Sequence, residues 1–349
     1  MRIDVKLLQE SLSFLGLAIS KNITDRPITK MVELRTVNGF LVGATSDGVN
    51  NIQYKICPTK ESLNALVDFE IFNNIIKSCT DEVELKEYDN ALGVKSSTMK
   101  CKIASIHKRS TCTMQHCTME QCVNNVDFTS LSEILSVCKS ILNTEFSINC
   151  YRNIYFNDKI MVTDTDNVAV ISKKFFNDNV LLSYKTAELL SKLTTAKYTI
   201  VEEEHTHTHK KFKKLYVQTD KADIVCFSEN ADLFQYDDLN DLFNTVAKDT
   251  ITINKSELSK GYNIAKLFKT NNLLFVFDTD SVYLRIDQSD FTYKVSDVGI
   301  STKHSFVVNE ALMKKFLALS NEITISILDG MIKCSAGNIE EIYSVVEAQ

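Results

Sequence analysis

One order of elements returns six times along this chain, and that recurrence limits its possible folds more than any single motif does. The first pass opens with a short strand, Met1 to Val5, and a helix-period stretch in which Leu8, Leu12, Leu15 and Ile19 recur at steps of four, three and four. Strand patterns follow over Met31 to Val37, Phe40 to Thr45 and Ile52 to Ile56, separated by Asn38-Gly39 and Asp47-Gly48. Asn-Gly between apolar runs marks a hairpin because both residues tolerate positive φ. The unit is therefore a strand, a helix and a three-strand meander.

The same order returns after Leu63 to Val67, with Ile71, Phe72, Ile75 and Ile76 on the helix and a turn at Asp89-Asn90. It returns after Val126 to Phe128, where Leu131, Ile134, Leu135, Cys138 and Leu142 share a helix face and Asn157-Asp158 makes the turn. The fourth copy runs from Val180, with Ala187, Leu190 and Leu193. The fifth begins at Thr250, with Leu258, Ile264, Ala265, Leu267 and Phe268. The sixth begins at Ser305, with Leu312, Phe316 and Leu319 and a turn at Asp329-Gly330. Helix starts near 6, 69, 129, 184, 255 and 309 lie about 60 residues apart, an internal period of pattern rather than identity. Two units make a domain, so the pattern predicts an α+β chain of three similar domains, 1–122, 123–247 and 248–349. The boundaries are placed in the polar stretch 107 to 125 and the acidic run 237 to 249, where both periodicities lapse.

With 44% hydrophobic and 24% charged residues among 349, the composition is that of an ordinary globular chain. No apolar run approaches the ~18 residues of a spanning helix, and the opening MRIDVKLLQESL is charged where a signal peptide has its apolar core. These features imply a cytoplasmic protein with no membrane contact, whose 10 cysteines are reduced thiols.

The net charge is -6, against the basic balance usual for nucleic-acid binders. Sorting charge by element changes the picture. The six helix windows hold 12 lysines and 6 glutamates, a balance of +6 that leaves -12 for the rest of the chain. An acidic protein can thus present a basic helical face that holds phosphates without reading bases.

Enzyme signatures are absent: there is no Walker loop, G-x-G-x-x-G, G-x-S-x-G or H-E-x-x-H. TDTDN at 163–167 and DTDS at 278–281 fall where the repeat requires strand-to-strand turns. Cys112, His116, Cys117 and Cys122, with Cys101 and His107 just before, are zinc-type ligands without C-x-x-C spacing, so a Cys/His metalloprotein using 101–122, with hydrolytic chemistry, is the alternative reading. His205, His207 and His209 alternate, followed by Lys210, Lys211, Lys213 and Lys214, which suits the tip of a long hairpin. No cofactor is implied.

Six such units in three domains resemble the bacterial sliding clamp, the beta subunit of the replicative DNA polymerase. Arg26-Pro27 and Ile28 to Met31 resemble that family's Arg-Pro segment, whose arginine faces DNA. TDTDNVAV at 163–170 takes the place of its Thr-Asp-Gly-His-Arg-Leu-Ala turn, with Thr165, Asp166 and Asn167 replacing Gly-His-Arg. Phe234-Gln235-Tyr236 resembles Phe-Pro-Asp-Tyr without the proline, and Tyr343 to Val346 resembles the terminal Tyr-Val-Val-Met strand. The resemblance implies a non-enzymatic ring with helices inside and sheets outside, encircling duplex DNA, placed by a clamp loader and tethering a replicative DNA polymerase. Six units divide into a head-to-tail homodimer, whereas a trimeric clamp of the eukaryotic type needs four per subunit.

The residues expected to contact DNA are Arg26, by the resemblance, with Lys21, Lys77, Lys139, Lys192, Lys260, Lys266 and Lys269 on or beside the helices. The resemblance places Cys101 and Ile103 of one subunit against Leu267 and Phe268 of the other. It lines a partner-peptide cleft with Tyr151, Thr163, Thr165, Val168, Leu239, Leu312, Met331, Val345 and Val346. Asp166, Asn167 and Asp238 stand where the family has basic or polar residues, which predicts an acidic cleft preferring Lys or Arg beside the peptide's apolar anchors.

Overall fold

A computed structural model describes residues 1–22, 24–106, 121–142, 152–204, 208–209, 211–269, 273–286, 289–318 and 321–347. Its helices are α1 (Val5–Leu15), α2 (Phe69–Lys77), α3 (Leu131–Ile141), α4 (Tyr184–Leu190), α5 (Tyr236–Phe243), α6 (Lys255–Ala265) and α7 (Glu310–Ala318). All but α5 stand where the repeat predicts a helix. Several strands run into their helices through a polar capping residue. Asp4 accepts the Leu7 N–H at 3.1 Å, Asp68 that of Ile71 at 2.9 Å, Asn254 that of Ser256 at 2.8 Å and Asn309 that of Leu312 at 2.8 Å. Each cap satisfies an otherwise orphaned donor and is worth about 1 kcal/mol.

Leu8, Leu12 and Leu15 of α1 are fully buried, as their spacing requires. The helix then tightens into a 3-10 turn at Gly16–Ala18, so Ile19 lies beyond it in extended backbone. A Cβ on Gly16 would stand 2.9 Å from the Phe69 ring, which is why glycine ends the helix here. On α2, Phe72 and Ile76 are buried but Ile71 is 52% exposed, since it lies about 100° around the helix from Phe72. The Asn38-Gly39 hairpin forms as expected, with φ of 49° and 80°.

Among the described residues the strands form four antiparallel sheets by one rule. In each pair of units, the leading strand of one joins the meander of the other. Thus Asn64–Asp68 pairs with Met31–Val37, while Arg2–Asp4 pairs with Glu82–Tyr88. The exchange recurs as Asn124–Asp127 with Thr195–Glu204 and Val180–Ser183 with Asn153–Phe156. It occurs a third time as Asp249–Asn254 with Glu322–Leu328 and His304–Val308 with Leu273–Phe277. Half-sheets then join edge to edge. Asn50–Pro58 pairs with Ala222–Ser228 to complete one eight-stranded sheet, and Asn167–Ile171 pairs with Ile339–Ser344 to complete another. The four-stranded sheet ends on Lys100–Ala104 and the five-stranded sheet on Thr292–Ser296.

Because the joins tie halves of different segments, the chain condenses into two compact units, Met1–Thr129 with Glu188–Glu229 and Ser130–Ala187 with Asn230–Gln349. The structure also corrects the reading of 237 to 249 as devoid of helix. In α5, Tyr236, Leu239, Leu242 and Phe243 share an apolar stripe, and Asp237 and Asp238 in the first turn complement the helix dipole.

Candidate nucleic-acid and peptide interfaces

The basic residues singled out from the sequence are exposed throughout. Arg26, Lys21, Lys77, Lys192 and Lys269 have no ion pair among the described residues. Lys260 differs, because its ammonium sits 2.7 Å from the Glu257 carboxylate three residues earlier, which answers its charge locally. Lys139 lies over the Tyr184 ring at 6.0 Å and Lys266 over that of Tyr262 at 5.6 Å, contacts that orient the cations without neutralising them.

The turn at 163–167 is built by Asp164, whose carboxylate accepts the N–H groups of Asp166 at 3.1 Å and Asn167 at 2.7 Å. Thr165 adopts φ 79°, a left-handed conformation that favours the glycine of the resembled turn, while its N–H donates to Thr163 Oγ1 at 3.0 Å. Ser344 ties the strand Ile339–Ser344 to this turn by donating from its N–H to the Asp166 carbonyl at 3.1 Å. Val345 donates to the Gly330 carbonyl beside Met331 at 3.1 Å.

Thr163, Thr165, Val168, Leu239, Met331 and Val345 therefore gather around one apolar cluster. Leu312 and Val346 belong to other elements. Leu312 is half-buried on α7, and Val346 is 71% exposed where it pairs with Val307. Tyr151 lies outside the described residues.

The cluster also holds an aromatic stack that sequence reasoning left out. Tyr155 is stacked on Phe234 at 4.8 Å and tilted against Tyr236 at 5.1 Å. Phe234 and Tyr236 lie in the segment noted above, but nothing local pointed to Tyr155. Burial pushes the Tyr155 hydroxyl pKa up, and nearby Asp237 and Asp232 add to the rise. Asp166, Asp237, Asp238 and Asp241 are exposed and carry no ion pair among the described residues, so the rim is acidic.

The residues placed at a subunit contact divide. Leu267 and Phe268 are 77% and 52% exposed, and the Phe268 ring lies 5.1 Å from Phe291, next to the edge strand Thr292–Ser296. Cys101 is half-buried on the edge strand Lys100–Ala104, but Ile103 is only 4% exposed and packs inward. Period-two alternation sets this, because Lys102 and Ala104 take the outward positions.

Of the zinc-type cluster, His107, Cys112, His116 and Cys117 lie outside the described residues. Cys122 is buried against Tyr216 and Val225, and its thiol donates to the Tyr216 carbonyl at 3.6 Å. Among the described residues no group of three metal-type ligands converges. His205, His207 and Lys210 are likewise outside them. The strands Thr195–Glu204 and Lys211–Gln218 pair as a long hairpin, with His209 Nδ1 2.6 Å from the Glu204 carboxylate.

Paired units with exchanged leading strands and half-sheet joins define the DNA-clamp class of α+β fold. The particular fold is that of the bacterial DNA polymerase III beta subunit. The chain superposes on the beta chain of Streptococcus pneumoniae with a TM-score of 0.82 at 14% identity, covering 99% of both chains. The Thermotoga maritima beta subunit gives 0.78 at 12%, covering 100% of this chain and 99% of that one. The Helicobacter pylori beta clamp bound to a DNA ligase peptide gives 0.79 at 12%, covering 99% of each. No family profile and no curated protein sequence matches the chain. Among the described residues no helix is long and apolar enough to cross a membrane.

Proposed function

We propose that this chain is the subunit of a sliding clamp, a non-catalytic processivity factor that closes head to tail as a homodimer around duplex DNA, is placed by a clamp loader and tethers a replicative DNA polymerase. The observation that carries the reading is an unfinished pairing rule. Among the described residues six strands close a meander and four of them join in pairs, in each case the first unit of one pair meeting the second unit of the next. The two left over are Lys100–Ala104 and Thr292–Ser296, which the same rule would join between copies. Exposed Leu267 and Phe268 flank one of these edges, where apolar surface would be covered by closure. Lys100, Lys102 and Lys294 on the two edges discourage pairing with unrelated strands.

In this reading the three domains are 1–122, 123–247 and 248–349. Arg26, Lys21, Lys77, Lys139, Lys192, Lys266 and Lys269 hold DNA weakly and without sequence preference, while Lys260 contributes less. The cleft around Val168, Leu239 and Met331 takes an extended peptide of the polymerase, and its acidic rim selects Lys or Arg beside the apolar anchors. The experiment is retention on DNA, with protein placed by a loader on nicked circular duplex and followed by gel filtration. Retention on circles that is released by linearisation, from a protein that sediments as a dimer, is the expected result. A monomer that leaves circular and linear DNA alike would overturn the reading.

A further inference from the structure

At one end of the join between Asn50–Pro58 and Ala222–Ser228 lies an open groove of about 1210 Å³, larger than the ~300–1,000 Å³ of small-molecule pockets. Phe14, from the last turn of α1, and Tyr54, paired with Ala222 across the join, face it as a tilted ring pair with centroids 5.4 Å apart. Both rings are half-buried, so part of each surface remains open to a ligand. Lys192, Lys197 and Lys221 reach the same groove from the end of α4, the strand Thr195–Glu204 and the turn before Ala222. All three are exposed and have no ion pair among the described residues. Two carboxylates also line the groove. Asp127 is occupied by Thr129, whose N–H and hydroxyl donate to it at 2.9 and 2.6 Å, and Asp220 is exposed.

A groove with separated cations along it and an aromatic pair within it matches single-stranded nucleic acid, in which a flexible backbone follows the charges and an unpaired base stacks on a ring. Bases in a duplex are already stacked on each other and offer no free face, so a duplex would meet only the lysines. We infer that this groove binds a single nucleic-acid strand, its phosphates at Lys192, Lys197 and Lys221 and a base on the Phe14–Tyr54 pair. The inference deepens the proposed DNA contact and rests on it for Lys192; a clamp placed at a primer end would there meet both duplex and single strand.

The test uses the full chain with fluorescein-labelled oligothymidylate, read by anisotropy, and with 4-thiothymidine oligonucleotides for photocrosslinking. Crosslinks are expected on the peptides bearing Phe14 or Tyr54. Tyr54→Ala should weaken binding about tenfold and Tyr54→Phe should not, because stacking needs only the ring. Lys192→Glu with Lys197→Glu and Lys221→Glu should lower the slope of log affinity against log salt by about 2. These lysines are exposed, so the triple variant tests the groove even if Tyr54→Ala fails to fold. Crosslinks only at other sites, or a triple variant with unchanged salt slope, would overturn the inference. Retention on circular duplex is measured in parallel. Lost single-strand binding with circular retention intact sinks the groove alone, whereas single-strand binding without retention sinks the clamp reading and leaves the groove.

Discussion

The chain makes the same half-sheet join twice, between Asn50–Pro58 and Ala222–Ser228 and between Asn167–Ile171 and Ile339–Ser344, yet the two joins carry opposite chemistry. At the Ala222 end of the first, Phe14 and Tyr54 sit among Lys55, Lys192, Lys197 and Lys221, which have no ion pair among the described residues. At the Asn167 end of the second, Tyr155, Phe234 and Tyr236 pack together in a cluster whose segments carry Asp166, Asp237 and Asp238, which have no ion pair among the described residues. Pairing is a property of backbone and buried faces, which the repeat preserves, whereas strand-end side chains are free to diverge. The chemistry at a join therefore follows from its side chains and not from topology.

The comparison breaks most visibly if the join is made a third time, between copies. Leu267→Lys with Phe268→Lys places two charges on exposed positions, so the chain should fold normally while its dimer dissociation constant rises by more than about 100-fold, as expected for the loss of central apolar anchors. Sedimentation velocity checks this, and an unchanged dimer would remove the contact. At the acidic join, Met331→Asp should weaken a short peptide with apolar anchors and adjacent lysines by about 10–100-fold in calorimetric titration. Equal affinity in a folded variant would exclude the cleft.

A smaller effect separates charge from shape. Asp237→Asn with Asp238→Asn should cost the same peptide about three- to tenfold at low salt and little at high salt, since exposed charges are screened. Oligothymidylate binding at the basic join should not change. If both ligands weaken together, the two sites are not chemically distinct.

The smallest effect concerns pH. Asp249 accepts from the Ser301 hydroxyl, from the Ser301 N–H at 3.0 Å and from the Thr302 N–H at 3.2 Å, which hold its carboxyl below the ordinary range. A depressed carboxylate contributes stability above its unfolded pKa of about 4 and loses it as pH falls through the folded value. Asp249→Asn should therefore lower the melting temperature at pH 7, and the gap to wild type should close below about pH 4. A gap that stays constant across this range would show that ionisation of Asp249 is not involved.

Much of the local structure was legible. The Leu8, Leu12 and Leu15 spacing, the Asn38-Gly39 turn and the TDTDN turn all report interactions within a few residues, which a linear pattern records directly. Helix α5 was missed because its acidic first turn lowered the apparent periodicity over 237 to 243, although its Tyr236, Leu239 and Phe243 stripe was present. Of the residues expected at the candidate sites, Val168, Leu239 and Met331 lie in one apolar cluster with Thr163 paired to Val168, while Ile103 is in the core and Leu312 and Val346 are on other elements.

By itself the sequence determined the repeated unit, its helices, most of its turns and a lysine excess on the helical segments, because each depends on the spacing or composition of neighbouring residues. Only the tertiary structure decided that leading strands exchange between units, that Tyr54 meets Phe14 and that Tyr155 stacks on Phe234. Strand partners are chosen by burial and backbone pairing over long separations, and similar strands leave that choice undetermined until the whole core packs.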